Sequence, residues 1–182
     1  MKITTRQILN FLQILSWIIF IGLSIEAGAF LFNTIYTFAI NPANTKSFWD
    51  GADLSYLYDY DKGYFLVITG TIIIVAVLKA IMFFLIIRLF AGKNMDLARP
   101  FSGKVKNFVL MLSCLAVGIA FFSYMGNKYA AWLIKHGVEK IDLRPFHLEG
   151  SDVWLFMAVI FFVLAQVIKR GIEIQTENEL TV

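Results

Sequence analysis

Two charged residues stand alone inside long apolar runs. Glu26 is the only acidic or basic residue between Arg6 and Lys46, and Lys79 is the only one from residue 63 to residue 87. A charge in the middle of a membrane-length apolar helix costs about 2.5–3.5 kcal/mol on insertion scales, so such groups face a protein interior or a wet cavity and take partners. Opposite signs make an ion pair the simplest chemistry here. A carboxylate in a first apolar helix also suits a proton- or cation-coupled pathway. At 1.5 Å per residue, Glu26 lies about 24 Å from a boundary near Asn10 and Lys79 about 15 Å from one near Leu89, a mismatch of about 9 Å. Helix tilt and the long Lys stem can close that gap. Two arrangements are open: a direct or water-bridged pair, for which Glu26 and Lys79 are the candidates, or a Lys79 that snorkels inward and a Glu26 in a wet outer pocket.

Other reactive residue types form no such constellation. His147-x-Glu149-x-x-Asp152 lies just before an apolar run, with His136 upstream, but a catalytic zinc needs three protein ligands in an enforced geometry. Asp152 is better read as a helix N-cap. Asp50, Asp53, Asp59 and Asp61 lack the Gly-centred spacing of a calcium loop; they are expected to solvate a loop whose tyrosines and Trp49 rest at an interface. Cys114 is the only cysteine, which excludes an internal disulfide or a Cys-x-x-Cys pair; it reads as a small hydrophobe buried between helices. No catalytic residue, metal set or cofactor motif is expected.

The elements that carry these residues are set by hydropathy. Hydrophobic residues make up 59% of the 182 and charged residues 16%, where a soluble domain has about 25% charged. Residues 107–127 and 153–168 carry no charge at all. About 20 apolar residues cross a hydrocarbon layer of roughly 30 Å, so the expectation is one all-α integral membrane domain over 1–182, four transmembrane helices in an antiparallel bundle. The spans fall at about 8–36, 64–90, 105–127 and 152–170. The first is too long for a signal peptide and apolar sequence resumes at once after Ala27-Gly28-Ala29, so a retained span is expected.

Basic residues orient the chain. With both termini cytoplasmic, nine Lys and Arg fall inside and six outside, and five of the nine crowd into residues 88–106; short Lys/Arg-bearing loops stay inside. Outer loops then cover 41–63 and 128–151, an inner hairpin 91–104, and a cytoplasmic tail 171–182. Asn41-Pro42 ends the first helix, because a residue before proline is pushed out of the helical region. The net charge of +3 is spread over loops, so no direct nucleic-acid contact is expected.

Small residues Gly22, Ala27, Gly28 and Gly118 are candidate helix-packing positions, where close approach replaces the hydrophobic drive that lipid removes; a homodimer is one arrangement they allow. In the tail, Ile172, Ile174, Glu177, Leu180 and Val182 form a candidate docking strip for a cytoplasmic protein, although a polar extension of the last helix accounts for them equally.

The ending Lys169-Arg170-Gly171-Ile172-Glu173-Ile174-Gln175-Thr176-Glu177-Asn178-Glu179-Leu180-Thr181-Val182 resembles a bacterial family of small four-span membrane proteins, domain of unknown function 2975. Asp53-Leu54-Ser55, Leu78-Lys79-Ala80 and Pro100-Phe101-Ser102 also resemble it. The resemblance covers roughly residues 50–182. It implies a multi-pass protein of the bacterial inner (cytoplasmic) membrane, with the lipid bilayer around it and, from the genes such proteins neighbour, a cytoplasmic helix-turn-helix regulator as partner. It carries no reaction. The readings that follow are a non-enzymatic membrane regulator or sensor engaging a cytoplasmic partner, or a small oligomeric transporter or channel subunit that uses Glu26. An enzyme acting on lipids has no nucleophile–base arrangement to rest on.

Overall fold

The computed structural model of the chain describes residues 5–91, 101–138 and 142–179, and among them every regular element is helical. Helix α1 is Thr5–Ala39, a 3-10 turn follows at Pro42–Ser47, and α2 is a short Ser55–Tyr60 helix. Helices α3 (Lys62–Ala91), α4 (Gly103–Lys135) and α5 (Ser151–Glu179) complete the order, with a second 3-10 turn at Arg144–Phe146 between the last two. Helices α1, α3, α4 and α5 are each long and apolar enough to cross a membrane.

Helix ends follow local chemistry. Asn41, extended before Pro42, closes α1 and its side chain accepts from the Ala43 amide. Asp61 caps α3, its Oδ1 accepting from the amides of Gly63 at 2.7 Å and Tyr64 at 3.0 Å. Ser102 caps α4 through the Val105 amide. These caps satisfy amide donors that a helix start leaves without partners. Asp152 is not the N-cap of α5: that helix starts at Ser151, which puts Asp152 inside its first turn, where a negative charge meets the positive end of the helix dipole. Beyond Lys169 and Arg170 the tail continues as helix, with Arg170 and Lys169 pairing to Glu173 at 3.0 and 3.9 Å. Ile172 is half-buried and Ile174 exposed on that extension; Leu180 and Val182 lie outside the described residues, as does most of the expected inner hairpin.

The segment between α1 and α3 is folded into the bundle. Phe48, Leu54 and Leu57 are fully buried and Tyr58 nearly so. Trp49 packs edge-on against Phe30 at 5.2 Å and Tyr58 against Phe65 at 5.2 Å. The acids of this segment are solvated as expected, Asp50, Asp53, Asp59 and Asp61 all being exposed, with Asp53 accepting from the Ser55 amide and Asp61 capping α3; the expectation that its aromatics rest at an interface is corrected, because only some of them, Tyr56 and Tyr60 among them, face outward. Asn33 anchors the segment by donating to the Phe48 carbonyl at 2.8 Å.

Helix α1 packs on α3, α3 on α4 and α4 on α5, while α1 and α5 share no comparable contact. Only 6% of the most apolar window of α1 and 11% of that of α5 is buried, against 28% and 33% for α3 and α4. The middle pair therefore carries the core, and the flanking pair turns long apolar faces outward. Phe20 meets Phe84 between α1 and α3; Leu78 and Thr71 of α3 stand 3.4 and 3.0 Å from where a Cβ on Gly118 and Gly126 of α4 would sit; and Ser113 donates to the Ala158 carbonyl between α4 and α5.

Two expectations about small residues change. Cys114 is exposed on α4 rather than buried between helices. Gly22 and Gly28 are exposed with nothing within 4 Å of where a Cβ would sit, so neither seats another helix of this chain. Ala27 is buried and Gly118 has Leu78 against it.

Candidate functional site

The inward stripe of α3 runs through Ile68, Ile72, Val75, Ala76 and Met82, all buried. Lys79 occupies the same stripe, one turn from Ala76 and Met82, where the 3.6-residue period asks for another hydrophobe. On α1, Glu26 directly precedes buried Ala27 and lies one turn before buried Phe30. Both charges are thus aimed at the bundle by the helices that carry them. Counting 1.5 Å per residue, Glu26 lies about 20 Å from the Ala39 end of α1 and Lys79 about 26 Å from the Lys62 end of α3, well inside both helices.

The two charges make no direct contact. No ion pair joins Glu26 to Lys79 among the described residues. His147 takes both instead. With a proton on Nδ1, its imidazole donates to Glu26 Oε1 at 2.9 Å, and its main-chain carbonyl accepts from Lys79 Nζ at 2.8 Å. The ammonium also stands 5.9 Å from the ring centre of Trp154 on α5, within cation–π range. The Glu26 side chain is 18% exposed and that of His147 68%: the carboxylate is covered, while the ring is open on its other side.

His147 reaches this position because the connection between α4 and α5 folds inward. Leu143, Phe146 and Leu148 are buried, and Arg144, His147 and Glu149 are exposed. Phe146 inserts against Phe30 at 5.7 Å and Phe48 at 6.0 Å; edge-on ring pairs of this kind contribute about 0.5–1.5 kcal/mol beyond area. His147 itself is left-handed, φ 50°, a region histidine enters more readily than most residues. Asn127 on α4 grips the next residue, its Nδ2 donating to the Leu148 carbonyl at 2.8 Å and to the Ser123 carbonyl at 2.9 Å. Leu148 also packs near Gly126. Non-helical backbone at membrane depth is tolerated only where protein satisfies its polar groups; Lys79 and Asn127 supply donors to two consecutive carbonyls. Close by in sequence on α4, the buried Ser123 hydroxyl has no hydrogen-bond partner among the described residues.

The assembly is a clamp on residues 146–148 built from α1, α3 and α4. Its chemistry is hydrogen bonding and charge compensation. No group of three or more His, Cys, Asp or Glu able to hold a metal occurs among the described residues. His136 is elsewhere, its Nδ1 bonded to the Trp132 carbonyl at 2.9 Å. Two members of the clamp, His147 and Asn127, were not expected from sequence. The available signal was Phe146 and Leu148, two large apolar side chains in a stretch otherwise reading as loop.

A family model described as Protein of unknown function (DUF2975) matches residues 49–182, a range that holds Lys79, Asn127 and His147 and stops short of Glu26. No curated protein and no solved structure matches.

Proposed function

The chain belongs to the family described as Protein of unknown function (DUF2975), and we propose that it is a non-enzymatic membrane regulator or sensor whose responsive element is the clamped segment 142–150. The supporting observation is the clamp: one short segment between α4 and α5 held at once by Glu26, Lys79 and Asn127, through bonds that a change of charge or of neighbouring helix position would loosen. A switch needs an element with two discrete arrangements that both input and output bias. This segment leads directly into α5, and α5 runs on to the Lys169–Glu179 extension.

In this reading the helices form an antiparallel bundle, supported by contacts whose numbers rise on one helix as they fall on the next: Thr71 to Gly126 and Leu78 to Gly118, Ser113 to Ala158 and Phe101 to Gly171. Both termini are cytoplasmic in a bacterial inner membrane, which the basic residues at 88–106 support. The α5 extension then presents Ile174 and Glu177 to a cytoplasmic partner, with a helix-turn-helix regulator the class the family resemblance suggests. The transport reading draws less support, because the Glu26 carboxylate is engaged by His147 and Lys79 sits in the same clamp.

The test is cross-linked capture of cytoplasmic proteins from native membranes by the full chain, by a chain lacking residues 173–182, and by Lys79→Met. Loss of a specific partner in both variants is expected. Capture at the unmodified level by both discards the regulator reading, and flux in proteoliposomes abolished by Glu26→Gln would install the transport one.

A further inference from the structure

Helices α4 and α5 leave a cleft beside their contact. Val117, Ala120 and Phe121 on α4 and Leu155 on α5 line a cleft of about 470 Å³ that closes on Ser151, Asp152 and Tyr124 at one end. That volume falls within the roughly 300–1,000 Å³ of small-molecule sites. The wall is almost entirely carbon. Its floor is Ala120, buried, and its sides are Val117, Phe121 and Leu155, each about half exposed. Both helices are long and apolar enough to cross a membrane, so hydrocarbon reaches this cleft from the side.

Polarity is confined to one end, and it is of both signs. Asp152 sits in the first turn of α5, with no ion pair or side-chain hydrogen bond among the described residues. Lys128, one turn beyond Tyr124 on α4, holds its ammonium 5.5 Å from the centre of the Tyr124 ring that lines the cleft; it too has no carboxylate partner among the described residues. Asp152, without an ion pair among the described residues, therefore lines the polar end of this apolar cleft, and the Lys128 ammonium stands over the ring of Tyr124 beside it.

We propose that this cleft binds one phospholipid with a phosphoethanolamine headgroup. One acyl chain lies along Val117, Phe121 and Leu155; Lys128 meets the phosphate, and Asp152 accepts from the primary ammonium. Charge complementarity selects this occupant. A phosphoglycerol headgroup carries no cation and leaves Asp152 facing an anion, and a trimethylammonium has no N–H to donate to it. Charge-assisted hydrogen bonds are roughly twice as strong as neutral ones, so the headgroup preference rests chiefly on Asp152 and chain retention on the apolar wall.

The experiment is native mass spectrometry of the full chain from nanodiscs holding equimolar phosphatidylethanolamine, phosphatidylglycerol and phosphatidylcholine of matched chains. One retained phosphatidylethanolamine, in about tenfold excess over either competitor, is expected. Ala120→Leu fills the floor and is expected to abolish retention of all three. Asp152→Asn touches no core contact; it is expected to keep a lipid bound while the ethanolamine preference falls to about parity. Equal retention of the three lipids by the unmodified chain, a preference for phosphatidylglycerol, or an ethanolamine preference that survives Asp152→Asn each overturns the proposal.

Discussion

Lys79 donates to the main-chain carbonyl of His147 at 2.8 Å, while Glu26 takes the imidazole of that same residue at 2.9 Å. The two intramembrane charges therefore share a residue without touching each other. The distinction between side chain and backbone separates their energetics. Truncating the imidazole removes the Glu26 contact and leaves the carbonyl that Lys79 needs.

A double-mutant cycle reads this directly. Glu26→Gln with His147→Ala is expected to show a coupling of about 0.5–3 kcal/mol, as residues in contact do, whereas Lys79→Met with His147→Ala is expected to be additive within about 0.5 kcal/mol. Reversible unfolding in detergent supplies the four stabilities of each cycle. Additivity in the first cycle, or strong coupling in the second, contradicts the bridged arrangement.

Asn127→Ala tests the other grip on the segment. One amide serves two carbonyls, Leu148 and Ser123, and a buried acceptor left without its donor costs about 1–3 kcal/mol. The loss is expected to be local before it is global: amide exchange at residues 146–150 accelerates while that of the α3 core does not. Uniform acceleration through the whole bundle would mean that Asn127 supports the helices rather than the segment.

How much of this was legible beforehand depended on what each signal encodes. The four membrane-length helices follow from long uncharged runs, and runs such as residues 107–127 contain nothing that allows another reading. The inward aim of Glu26 and Lys79 followed from the cost of charge in lipid. Their estimated mismatch in depth, about 9 Å at 1.5 Å per residue, argued against a direct contact, and the structure ties both to His147 instead. The clamp stayed hidden because its key bond involves a backbone carbonyl, which no residue type announces. Cys114, Gly22 and Gly28 turned outward because an apolar face in lipid carries no periodic contrast with an apolar core, so helical rotation left no mark in these residues.

Two serines on α4 make opposite cases. Ser113 Oγ donates across to the Ala158 carbonyl of α5 at 2.8 Å, and such interhelical bonds in membrane proteins contribute about 0.6 kcal/mol on average; Ser113→Ala is expected to cost about that. Ser123 Oγ is buried with no partner among the described residues, so removing it sheds a desolvation penalty of about 1–3 kcal/mol, and Ser123→Ala is expected to be neutral or stabilising. Equilibrium unfolding of the two single variants decides the matter by the sign of their difference. A larger loss for Ser123→Ala than for Ser113→Ala would reverse both assignments.

Gly171 is the seat of an aromatic ring. A Cβ built there would stand 2.5 Å from Cδ1 of Phe101, with Cγ and Cε1 at 2.8 and 2.9 Å. Phe101 directly precedes Ser102, the cap of α4, so the ring fastens the start of α4 to the stretch where α5 passes from its apolar run into its charged extension. Any side chain at position 171 displaces the ring. Overpacking of this kind costs about 1–3 kcal/mol, and Gly171→Val is expected to fall in that range in thermal unfolding monitored by circular dichroism. Helix propensity works the other way, since glycine is worse than most residues inside a helix by roughly 0.5–1 kcal/mol. The two contributions separate in the background of Phe101→Ala, where no ring remains to collide. There Gly171→Ala is expected to be neutral or stabilising, while in the unmodified chain it destabilises. If Gly171→Ala stabilises the chain equally with and without Phe101, the ring does not depend on the glycine, and the link between the base of α5 and the cap of α4 is lost as an explanation for glycine at this position.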